Sequence, residues 1–150
     1  MKRFQFRLQP VHDLRQQRSE ADARALGVAN SRVEAARAQL ASAVDARLRL
    51  AAEYLSLFQG ESFDARSLAM RSGFLAHLAE NEASAAAELA AAERAHASAL
   101  RTAVESARAA EATARLRERQ QAQHAEAAAR SQQQVLDELA TLGAARRHRA

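Results

Sequence analysis

The sequence predicts an all-α protein, with two long helices folded back on each other as an antiparallel coiled-coil hairpin whose C-terminal helix overhangs the first. Three observations carry this reading. The 150 residues include 41 alanines, four glycines and one proline, with aromatic residues at 4%; such a balance belongs to long helices rather than to a globule. In both halves the apolar residues recur at steps of three and four, the spacing that keeps one helical face apolar. Residues 54–74 gather Tyr54, Gly60, Gly73 and three of the five phenylalanines, Phe58, Phe63 and Phe74, and so mark the corner.

In chain order, residues 4–8 alternate apolar and polar side chains (Phe4, Phe6, Leu8) ahead of Pro10. They suit either a short extended arm or a frayed end whose phenylalanines pack locally. Pro10 fits a first helical turn, where a missing amide hydrogen is not needed, and helix one runs from about residue 10 to about 59. Its stripe reads Leu26, Ala29, Val33, Ala36 and Leu40, then, after an extra four-residue step, Val44, Leu48, Ala51, Leu55 and Phe58. Successive four-residue steps relax a left-handed supercoil. Between Arg15 and Ala25 the seam is weak, because Arg18, Asp22 and alanines occupy its line. The corner spans about residues 60–73: Gly60 suits a helix terminus needing the left-handed conformation, and Ser62 or Asp64 can cap the helix that follows.

Helix two runs from about 64 to about 142. Leu68, Leu75, Leu78, Ala85, Leu89, Ala92 and His96 form its stripe, Leu100, Val104 and Ala107 shift it, and Val135, Leu139 and Leu142 restore it. Between residues 107 and 131 Leu116 is the one large aliphatic residue, so the hairpin is expected to be strongest near its corner. Alanine buries about one methyl group, against about 1.5–3 kcal/mol for a buried leucine, and the free chain is expected to be elongated and to melt early and broadly. If the corner lies at 60–64, Pro10 faces a residue around 112–118. Helix two then continues alone for on the order of 35 Å at 1.5 Å per residue. The stripe of Val135, Leu136, Leu139 and Leu142 is either a frayed tail or the seat of a partner. Gly143 closes the helix, and a basic tail of residues 143–150 carries Arg146, Arg147, His148 and Arg149.

Composition also excludes function classes. A formal charge of +4 and a pI near 10.8 permit an anionic partner without naming one. There is no cysteine, hence no disulfide or thiolate metal site. No stretch approaches the roughly 20 apolar residues of a membrane span, which suits a cytoplasmic protein. Phosphate loops, paired metal-spaced histidines and a nucleophile with its base are all missing, so no catalytic, cofactor-binding or metal-ligating residue is expected. His77 and His96 fall on or beside the seam; His12, His124 and His148 read as surface residues. Nucleic-acid binding is a weaker reading: Asn30, Ser31 and Arg32 ahead of Val33 faintly resemble a basic zipper. Interspersed acids break any basic stripe, and stacking aromatics are lacking. A generic structural coiled-coil adaptor is the other alternative, though it would need neither the N-terminal arm nor the aromatic corner.

Four segments in order, RFQFRLQPVHDLR over residues 3–15, FLAHL over 74–78, LRER over 116–119 and VLDEL over 135–139, together resemble the flagellar export protein FliJ family across nearly the whole chain. The resemblance implies a non-enzymatic, cytoplasmic component of the flagellar type III export apparatus, held at the inner membrane only through that apparatus. It implies a two-helix coiled coil that inserts its termini as a stalk into the export ATPase hexamer and promotes its assembly and activity. It further implies links to the export gate protein FlhA and to export chaperones that escort substrates. The gate-docking aromatic and aliphatic pair of the family matches Phe74 and Leu78, and its aromatic late in helix one matches Tyr54, whereas Leu50, Asn81 and Ala85 depart from the pattern. For Phe74 and Leu78 simple corner packing is the competing account. At the other end, Arg3, Arg7, Arg15 and Arg18 with Arg117 and Arg119 are the candidate contacts to the ATPase, aided by Arg115 and Arg130. Keeping a sparse coiled coil soluble is the alternative role for them.

Overall fold

The computed structural model describes residues 3–56 and 65–147, with side chains described for 3–56 and 66–142. It contains two helices, α1 (Gln9–Ser56, 48 residues) and α2 (Ala65–Arg147, 83 residues), which pack against each other in antiparallel order. Pro10 is the second residue of α1, in the first turn as its missing donor requires. Just before it the Gln9 amide donates to the Phe6 carbonyl at 3.1 Å and the His12 amide to the Leu8 carbonyl at 2.9 Å. Phe58, Gly60, Ser62, Phe63 and Asp64, which carry the turn and capping assignments, lie outside the described residues.

The chain divides into two compact units, Met1–Glu20 with Glu105–Ala150, and Ala21–Val104. In the second, Arg37 meets Glu93 at 3.5 Å, Arg47 meets Glu82 at 2.6 Å, and Arg71 meets Glu53 at 3.9 Å, an order that defines an antiparallel pair. In the first, Arg15 Nη1 donates to the Ala109 carbonyl at 3.4 Å, His12 Nδ1 lies 3.4 Å from Thr113 Oγ1, and the Phe4 ring sits 5.6 Å from that of His124. Pro10 therefore faces the 112–118 stretch.

The seam departs from the sequence reading in one systematic way. On α1 the half-buried and buried positions include Ser19, Asp22, Leu26, Ala29, Val33, Ala36, Leu40, Ala43, Arg47, Leu50 and Tyr54, which alternate steps of three and four without a break. Val44 and Ala51, on the shifted stripe expected from the sequence, are half-buried beside this unbroken line, whereas Leu48 and Leu55, expected there too, are exposed. On α2 the same alternation runs through Leu68, Arg71, Leu75, Leu78, Glu82, Ala85, Leu89, Ala92, His96, Ala99, Ala103, Ser106, Ala110 and Thr113. Leu100, Val104 and Ala107 lie off it and are exposed. Supercoil phase is the physical reason: once two helices lock in a seven-residue register, a change of stripe would rotate every later contact out of the interface. Small residues in phase win over large ones out of phase.

Two glycine assignments change as well. Gly73 lies inside α2 rather than in a corner, and α2 continues through Gly143 to Arg147, five residues beyond the expected end. No described glycine has positive φ, so neither acts as a left-handed terminator. His12, expected at the surface, is half-buried against Thr113.

Candidate interaction surfaces

The unit that holds both termini is built on small, well-satisfied contacts. Thr113 is 4% exposed, and its hydroxyl donates to the Ala110 carbonyl at 2.8 Å, which removes the cost of burying it. Phe6 is buried and Phe4 tilts against His124, so the N-terminal arm packs on α2. The arm is thereby settled as an ordered element, with Leu8 half out at 41% exposure.

Of the candidate arginines, Arg3 and Arg7 are exposed on the arm. Arg15 reaches across to the Ala109 carbonyl, and Arg18 is exposed but already engaged within the protein. Arg117 lines an open groove of about 370 Å³ with His12, Ala114, Glu118 and Gln121. Arg119 lines a different one, with Arg108 and Arg115. These side chains are therefore spread over several faces, some fixed and some open to a partner.

Beyond the arm α2 has nothing described against it. From Ala129 to Leu142 every side chain is exposed, Val135, Leu136, Leu139 and Leu142 among them. Local pairs hold this stretch together: Arg130 with Glu126 at 3.3 Å, and Gln133 Nε2 donating to Asp137 at 2.9 Å. Such pairs support a helix by tenths of a kcal/mol each, about 0.2–0.5. Leu136 belongs to the apolar stripe that sequence spacing draws through Val135, Leu136, Leu139 and Leu142. It sits beside Val135 in a shallow groove shared with Ser131 and Gln132.

The third surface lies in the unit formed by Ala21–Val104, beside the start of α2. Phe74 is exposed, with its ring 6.4 Å from that of His77. Leu78 and Tyr54 are half-buried on the seam, so the structure separates one exposed aromatic from two packing residues. Leu50, Met70, Arg71, Gly73, Phe74 and His77 line an open groove of about 530 Å³. At Gly73 the groove is wide enough that an added Cβ would meet nothing within 4 Å. Met70, 75% exposed, was missed in the sequence reading. Its spacing of four from Phe74 was the available signal, since a flexible thioether next to an aromatic makes an adaptable binding surface.

Among the described residues no group of three or more His, Asp or Glu could hold a metal ion, and no helix is long and apolar enough to cross a membrane. Fold and surfaces together define a two-helix coiled-coil protein whose candidate sites are outward-facing recognition surfaces. The chain belongs to the Flagellar FliJ protein family, which it matches over residues 4–149. Membership makes it a component of the flagellar export apparatus. No curated protein and no solved structure matches the chain.

Proposed function

We propose that this chain is a non-enzymatic stalk of the export machinery, which inserts the unit carrying its termini into the export ATPase hexamer and promotes the assembly and turnover of that hexamer. The observation that carries the reading is the unaccompanied end of α2, where an apolar stripe of Val135, Leu136, Leu139 and Leu142 stands exposed on an otherwise polar helix. A single helix with such a stripe is suited to lie in a partner's groove. The exposed arginines Arg3, Arg7, Arg117 and Arg119 add cations that can pair with carboxylates around it. In the same reading the Phe74 groove docks on the export gate protein FlhA, with Leu78 and Tyr54 holding the two helices in place beneath it. Export chaperones are further partners, nucleic acid is not one, and the protein works in the cytoplasm, meeting the inner membrane only through the apparatus.

The test is ATP turnover by the purified export ATPase with and without this protein. Changing Leu136, Leu139 and Leu142 together to serine removes the stripe at three exposed positions, so helicity is expected to hold. Stimulation of turnover should fall by about tenfold or more, the scale on which a few apolar anchors carry an interface. Undiminished stimulation would mean that the end of α2 is not the inserted element.

A further inference from the structure

A second feature of the terminal unit is independent of the apolar stripe. On α2, Arg94, Arg101, Arg108 and Arg115 recur every seven residues, on the side away from the seam positions Ala103, Ser106, Ala110 and Thr113. Within the terminal unit, Arg108, Arg115 and Arg119 line an open groove of about 520 Å³ with Glu111, Ala112 and Leu116. Arg115 takes the Glu111 carboxylate at 2.5 Å. Arg108 and Arg119 have no ion pair or hydrogen bond among the described residues, so the groove holds two uncompensated guanidinium groups. Between them Leu116, half-buried, and Ala112 give an apolar floor.

We infer that this groove binds an acidic helical segment of a partner protein, one carrying carboxylates at four- and seven-residue spacing with an aliphatic side chain between them. Along a helix Arg108 and Arg115 are about 10 Å apart and Arg115 and Arg119 about 6 Å, the spacings at which a second helix laid alongside presents carboxylates. Guanidinium groups engage carboxylates through two parallel hydrogen bonds, and the Leu116 floor takes the partner's aliphatic group. Nucleic acid fits less well. No aromatic ring lines the groove to stack a base. The inference deepens the proposed function, on which it rests for the identity of the partner as the export ATPase.

The experiment measures, by fluorescence anisotropy, the affinity of the full chain for two probes: the export ATPase, and a synthetic 21-residue amphipathic helix of glutamate, leucine and alanine. Three forms are compared: wild type, the triple reversal Arg108→Glu, Arg115→Glu, Arg119→Glu, and the control Arg94→Glu, Arg101→Glu on the same helical line. The triple reversal should weaken both interactions by about 10- to 100-fold, while the control stays within about twofold. A second triple variant with glutamine at the same positions should weaken binding less, and it replaces the reversal if circular dichroism shows that helicity has dropped. Equal binding of both probes by wild type and the neutral triple variant would overturn the inference, even with ATPase stimulation through the stripe intact. If wild type fails to bind the ATPase while the acidic peptide still binds through these arginines, the groove stands and the stalk reading falls. Tighter, arginine-dependent binding of a 20-nucleotide single strand than of the acidic peptide would also overturn it.

Discussion

At the scale of single residues, the Arg47–Glu82 pair shows how a sparse seam can keep its register. Both side chains occupy seam positions, and Nε and Oε2 approach to 2.6 Å off the line of a good hydrogen bond, so the contact is chiefly ionic. Partly exposed pairs stabilise modestly, but removing one member leaves the other charge against an apolar strip. Glu82→Ala should lower stability by about 1 kcal/mol, and Arg47→Ala by a similar amount. The double mutant should cost less than the sum, which urea unfolding in a double-mutant cycle checks. Phe74 and Leu78 behave differently although they belong to one sequence motif. Phe74→Ala removes an exposed ring and should leave unfolding within about 0.5 kcal/mol of wild type, whereas Leu78→Ala strips a seam contact and should cost about 1–2 kcal/mol. Phe74→Ala is therefore the cleaner probe of docking at the export gate, because any loss of binding cannot be assigned to loosened packing.

At the scale of the helices, the pattern of the sequence revealed more about element type than about phase. Alanine richness and the absence of proline after residue 10 sufficed for two long helices, and the start of α1 at Pro10 was legible because proline has one comfortable place there. The seam was legible wherever large residues fell in phase, as at Leu26, Val33, Leu40, Leu75, Leu78 and Leu89. It was misread where they fell out of phase, at Leu48, Leu55, Leu100 and Val104, because a lone helix offers no reason to prefer Ala103 over Val104. Only the partner helix supplies that reason, by fixing the register. Ala110→Leu, at a position 6% exposed, should overpack the interface and cost about 1–3 kcal/mol, while Leu100→Gln should be nearly silent. Thermal melts of the two variants would separate the observed phase from the one drawn through the leucines. Gly73 and Gly143 were misread for a related reason: glycine permits a turn without requiring one. Gly27 and Gly73 both sit in helix with open space where a Cβ would go. Substituting alanine at either should stabilise the protein by about 0.5–1 kcal/mol.

At the scale of the whole molecule, the candidate surfaces divide between the two units. Sequence spacing found the exposed stripe at the end of α2 and the exposed Phe74. It did not find Met70 or the groove between Arg108 and Arg119, whose membership depends on which side of the helix the seam occupies. The charge pattern makes one general expectation: contacts made through exposed arginines are screened by salt over about 10 Å at 0.1 M ionic strength. Binding to the export ATPase should therefore weaken as salt rises, whereas docking through Phe74 and Met70 should change little. Salt titrations with the ATPase and with the gate protein in parallel would show two different slopes. The measurement that bears most directly on the stalk account is ATP turnover by the export ATPase with charge-reversed forms of this protein. Reversal of Arg7 and Arg117, in the terminal unit, should reduce stimulation by about tenfold. Reversal of Arg66 and Arg71 near the start of α2 should leave it close to wild type. Equal effects from the two sets, or none from either, would contradict insertion of the terminal unit into the hexamer.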